Sequence, residues 1–220
     1  MRIVGTLALC AVIGMGSAAG QANAKKVSRA TCYSAGKTIV ANDQVRVSVV
    51  VKKGRKPGVS TARYYACNET SKQRFLLLKG GEFENDGFMR VVSPALNGYL
   101  VGFQRGTGGD FSCSGRVVVF DTKRGRVVRT STRQPGCART LVVTRRGFAA
   151  WGYAIEFDGD YLVGLDSAGT RVLAYPWVDG FDVLSLYVTE GFGFAPDIVN
   201  WVQDDRPMTA ELRVGTRTGA

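Results

Sequence analysis

The chain has 220 residues, 45% hydrophobic and 21% charged, a composition that supports one good core and excludes both a disordered tail and a multi-span membrane protein. Histidine is absent, which removes Ser-His-Asp and Cys-His nucleophiles, His-ligated zinc and imidazole-based pH switching. The net charge of +11 is unevenly placed, with 24 Lys/Arg against 7 Asp/Glu over residues 25–150 and 4 against 11 over residues 151–220.

In chain order, Arg2 precedes an apolar run over residues 3–15 and the small-residue sequence Ala22-Asn23-Ala24. This pattern predicts a signal peptide over 1–24, cleaved after Ala24. The expected mature chain is a single domain, 25–220, without a transmembrane segment, delivered to a secreted or periplasmic and cell-envelope location. It keeps four cysteines, Cys32, Cys67, Cys113 and Cys137, none in a C-x-x-C pair. Their number and the expected oxidising compartment predict two disulfides rather than a metal site. Of the three connectivities, the local one is expected, Cys32 with Cys67 and Cys113 with Cys137.

The 28 glycines and six prolines show no collagen period and point to a turn-rich β protein. Strands are predicted over residues 38–51, 76–78, 117–120, 141–144, 162–165 and 199–202, and no segment holds a helical period. Asn97-Gly98, Asp86-Gly87, Asp158-Gly159 and Asp179-Gly180 read as turns.

Two internal repeats are visible. VVSPALNGYLVGF from Val91, LVVTRRGFAAWGY from Leu141 and LYVTEGFGFAPDIVNWV from Leu186 place Val92-Ser93, Val143-Thr144 and Val188-Thr189 at corresponding positions. VVVFDTKRGRVVRT from Val117 and LVGLDSAGTRVLAY from Leu162 align Asp121-Thr122 with Asp166-Ser167, and an earlier copy from Arg63 puts Asn68 at the Asp position. A strand, an Asp, a turn, a Gly and a second strand resemble the outer hairpin of a β-propeller blade. Over residues 60–213 the repeats are similar to WD40-like and secreted bacterial propellers, without the Trp-Asp dipeptide. The resemblance implies an all-β, propeller-like fold of four to five blades. The last copy stops after three strands near Arg213, and the strand over 39–51 is expected to complete it and close the ring. A Greek-key or jelly-roll β-sandwich is the alternative.

Candidate polyanion-binding residues are Lys52, Lys53, Arg55 and Lys56, then Lys123, Arg124 and Arg126, then Arg145 and Arg146, several at glycine-containing hairpin tips. The expected function is non-enzymatic binding of an anionic extracellular or cell-envelope polymer or a protein partner, with head-to-tail self-association of unlike charges as a further expectation. No module for sequence-specific nucleic-acid reading, no cofactor motif and no metal-ligand spacing is present. The competing reading is a carboxylate-dependent glycan hydrolase built from the acidic segment, with Glu156, Asp158, Asp160, Asp166, Asp179, Asp182, Asp204 and Asp205 beside Trp151, Tyr153, Tyr161, Trp177 and Trp201. Asn68-Glu69-Thr70 matches a glycosylation sequon.

Overall fold

A computed structural model describes residue 32 and residues 36–53, 60–83, 90–107, 114–155, 159–175, 181–193, 195–203 and 205–215. The expected leader, Arg55, Lys56, Cys113, Glu156, Asp158, Trp177 and Asp204 lie outside them, as do the Asp86-Gly87 and Asp179-Gly180 turns. Among the described residues the protein is all-β, in four antiparallel sheets.

The first sheet contains β1 (Lys37–Ala41), β2 (Val45–Lys53), β3 (Ser60–Asn68) and β4 (Arg74–Phe83). The second contains β5 (Arg90–Asn97), β6 (Leu100–Thr107), β7 (Ser114–Asp121) and β8 (Arg126–Thr130), with the two-residue β9 (Gln134–Pro135) added against β7. The third contains β10 (Ala138–Val143), β11 (Ala149–Ile155), β12 (Gly159–Asp166) and β13 (Gly169–Ala174), and the fourth β14 (Phe181–Thr189), β15 (Asp197–Gln203) and β16 (Arg206–Leu212). Strand order within every sheet follows the chain, a meander rather than the Greek-key connectivity of the alternative fold. The first strands lie side by side in sequence: β1 beside β5, β5 beside β10 and β10 beside β14.

Three hydrophobic cores fill the spaces between consecutive sheets, and they explain the two kinds of strand pattern. In β7, Val118 and Phe120 pack toward the first sheet with Val45, Val47 and Ala66. Val117 and Val119 pack toward the third with Leu141, Val143 and the fully buried Trp151. A strand covered on both faces reads as an unbroken apolar run. β15 belongs to the last sheet and buries one face, so DIVNWVQ alternates strictly, with Val199 and Trp201 in the third core beside Leu162 and Leu212.

Two expectations change. The single strand over 38–51 is a hairpin: Asn42 turns the chain, its Oδ1 accepting the N–H of Gln44 at 2.9 Å and of Val45 at 2.7 Å. β1 pairs with β2 and β2 with β3, so both strands belong to the first sheet and do not supply the fourth sheet with a strand. The expected Cys32–Cys67 disulfide is present, and Cys137 is also disulfide-bonded. Beside Cys137 the buried Gln104 amide donates to Gly136 O at 2.8 Å and accepts from Ala138 N at 2.7 Å, fixing the crossing from the second sheet to the third.

The aligned Asx residues are structurally equivalent. Asn68, Asp121 and Asp166 each end the third strand of their sheet and are buried. Asn68 Oδ1 accepts from Thr70 N and Ser71 N, Asp121 Oδ1 from Lys123 N and Arg124 N, and Asp166 Oδ1 from Ala168 N, all within 2.8–3.0 Å. The side chain supplies a preformed acceptor for the turn, which is why the repeat carries Asp or Asn there. The sequon asparagine is therefore committed to the fold, its Nδ2 donating to Thr122 O at 3.3 Å.

Candidate functional site

The turns after the first and third strands of each sheet share one end of the molecule, as the meander requires, and bonds between sheets stitch them together. Asn42 Nδ2 donates to Gly98 O at 3.1 Å. Asn97 Nδ2 donates to Val143 O at 3.0 Å and to Glu190 Oε1 at 2.7 Å. Asp166 Oδ2 accepts from Arg213 N at 2.7 Å.

At this end, between the second and third sheets, lies an open cleft of about 710 Å³. Its floor includes Tyr99, Leu100, Val127 and Val128. One wall carries Lys123, Arg124, Arg126 and Arg129, the other Arg145 and Arg146. Asp121 is the one carboxylate among the described lining residues.

Local structure places each cation. The β7–β8 loop is held by the Asp121 turn and by Thr122, whose N–H and Oγ1 both donate to Tyr99 O, at 3.0 and 2.8 Å. Gly125 sits in the left-handed region (φ +66°), and a Cβ there would come within 2.9 Å of the Phe75 ring, so glycine is required by both conformation and space. This geometry sets Lys123 with its ammonium 5.7 Å from the Tyr99 ring centre and Arg124 with Nε 3.5 Å from Asp121 Oδ2. Arg126 begins β8 and is exposed. Arg129 lies deeper, over the Phe148 ring at 4.6 Å, and donates to Asp166 O at 3.1 Å. Burial pushes its guanidinium below the ordinary arginine value, against the stabilising charge of Asp166.

The opposite wall is different. Arg145 Nε lies 3.1 Å from Glu190 Oε2, and the Arg145 N–H donates to Glu190 Oε1 at 2.8 Å. Arg146 donates to the carbonyls of Gly191 at 2.8 Å, Gly193 at 2.7 Å and Ala195, and pairs with Asp197 Oδ1 at 3.5 Å. Its guanidinium organises the β14–β15 loop.

Of the nine predicted cations, five converge on the cleft: Lys123, Arg124, Arg126, Arg145 and Arg146. Lys52 and Lys53 are exposed at the far end of β2, opposite Thr61 and Ser60, and do not line it. The sequence reasoning missed Tyr99 in the floor, and Glu190 and Asp197 as partners of the arginine pair. A signal for Glu190 existed, because the 45-residue repeat aligns Thr144-Arg145 with Thr189-Glu190 and so sets opposite charges at equivalent positions of adjacent sheets. Within the acidic segment, Asp166, Glu190 and Asp197 are engaged in internal bonds.

Of the rings expected to flank a sugar, the four among the described residues, Trp151, Tyr153, Tyr161 and Trp201, are in the cores or at their edges. Trp151 is fully buried, Tyr153 and Trp201 are nearly so, and Tyr153 stacks on Tyr161 with ring centres 5.3 Å apart. Cys32, Cys67 and Glu69 group closely enough for a metal, but both thiols are in the disulfide. Among the described residues no helix is long and apolar enough to cross a membrane. The chain matches no family model, no curated protein and no solved structure.

Proposed function

We propose that this protein is a non-enzymatic binding domain of the cell exterior or envelope, a propeller-like stack of four sheets that holds an anionic polymer in the cleft between its second and third sheets. The observation that carries this reading is the convergence of six cationic side chains on one cleft whose lining holds a single carboxylate. Lys123, Arg124 and Arg126 supply the attraction, and Tyr99, Leu100, Val127 and Val128 add apolar surface beside them. Export through a leader over 1–24 is part of the same proposal, and the observed disulfide supports it.

The test is binding of labelled polyphosphate or dextran sulfate at low and high salt. Electrostatic retention should fall steeply as ionic strength rises. Replacing Lys123, Arg124 and Arg126 together by Gln should weaken binding at least about tenfold, equivalent to about 1.4 kcal/mol. Replacing Lys52 and Lys53 by Gln should change it little. Equal losses from the two sets, or none from the first, would overturn the cleft as the site.

A further inference from the structure

Beside the cleft, the β14–β15 loop holds Phe192 almost wholly in solvent, 97% exposed. An exposed phenylalanine on a loose loop is unremarkable, but here the backbone is fastened on both sides of the ring. Arg146, from the cleft wall, binds the carbonyls of Gly191, Gly193 and Ala195, and Asp197 Oδ1 accepts Gly191 N at 3.0 Å. Ala195 N closes a turn on Phe192 O at 3.1 Å. Gly193 adopts φ +60°, and a Cβ at Gly191 would run into the backbone of Ala195 and Pro196. The side chain that stiffens the loop also borders the cationic cleft, so the apolar tip and the positive charge share one end of the molecule.

We propose that this end docks on an anionic lipid surface, with Phe192 entering the boundary between headgroups and acyl chains while Lys123, Arg124 and Arg126 meet lipid phosphates. The inference rests on the cleft as an anion site and names its ligand as a phosphate-bearing bilayer. An exposed ring on a fastened loop beside a cationic cleft suits a bilayer, which yields around such a wedge while its phosphates meet the cations. The charge complement is supplied by anionic headgroups, each nearby Lys or Arg adding to the attraction.

The experiment is co-sedimentation of the full chain with phosphatidylglycerol/phosphatidylcholine vesicles, with pure phosphatidylcholine vesicles and soluble polyphosphate in parallel. Wild type should pellet with the anionic vesicles only. Phe192→Ala should weaken vesicle binding about tenfold, the order expected for partial burial of one aromatic side chain, and leave polyphosphate binding unchanged. Phe192→Leu should restore most of the loss. Polyphosphate binding without vesicle binding, or vesicle binding indifferent to Phe192→Ala, would overturn the lipid proposal while leaving the anion cleft standing. If neither ligand binds, the cleft reading fails with it. A loss of vesicle and polyphosphate binding alike in Phe192→Ala would assign Phe192 to the polymer site and overturn the lipid role.

Discussion

On the β7–β8 wall of the cleft, Lys123, Arg124 and Arg126 sit on a loop organised without them, by Asp121 Oδ1, Thr122 and Gly125. On the β10–β11 wall, Arg145 and Arg146 are themselves the organisers, one paired with Glu190 and the other grasping three carbonyls and Asp197. The same residue types at the same rim thus differ in what their removal would break. A cation whose donors are already satisfied inside the protein contributes to the fold, and one held in place by other residues is available to a ligand.

The largest effect that would test this contrast is Arg146→Ala. It strips the cationic partner from Asp197, a carboxylate only 1% exposed, and should destabilise the protein by about 3 kcal/mol in denaturant unfolding. An unchanged midpoint would mean that the two walls are equivalent after all. Next is Glu190→Gln, which keeps an acceptor for Asn97 and Arg145 N but removes the charge opposite the Arg145 side chain. Stability should drop by roughly 1 kcal/mol while polyphosphate affinity rises severalfold, measured by titration at low salt. Asp121→Asn should raise affinity similarly by releasing Arg124, with the turn intact, because Asn68 already makes that turn in the first sheet. The smallest stability effect belongs to the Lys123, Arg124 and Arg126 triple Gln variant, expected within about 0.5 kcal/mol of wild type. A large loss of stability there would show that the outer wall is structural too.

The repeat was legible because its physics is local: an Asx side chain that caps its own turn leaves a fixed residue at a fixed place, and Asn68, Asp121 and Asp166 fell where the alignment put them. The Asn97-Gly98 turn was legible from the dipeptide itself, with Gly98 at φ +56°. The hairpin within residues 38–51 was hidden by the β-branched run on either side, although Asn42-Asp43-Gln44 marked its turn. The cleft was half legible. Charges can be counted along a chain, but whether a guanidinium faces solvent or three carbonyls depends on a loop some 45 residues away, as Arg146 and Gly191 show. Burial of both faces in the middle sheets explains why Val117, Val118, Val119 and Phe120 gave a strand without saying which way any of them pointed.

One amide, that of Asn97, joins three of the four sheets, through its own place in the second, Val143 O in the third and Glu190 in the fourth. With Thr122 fastened to Tyr99 on the near side, the two rims of the cleft are held at a set distance. On the proposed function, rims tied in this way would act as a gauge rather than a jaw, sorting anionic ligands by the interval between their charges. A stiff polyanion whose spacing matches the rims should be retained over a flexible one of equal charge, and loosening Asn97 should blur that preference before it weakens binding.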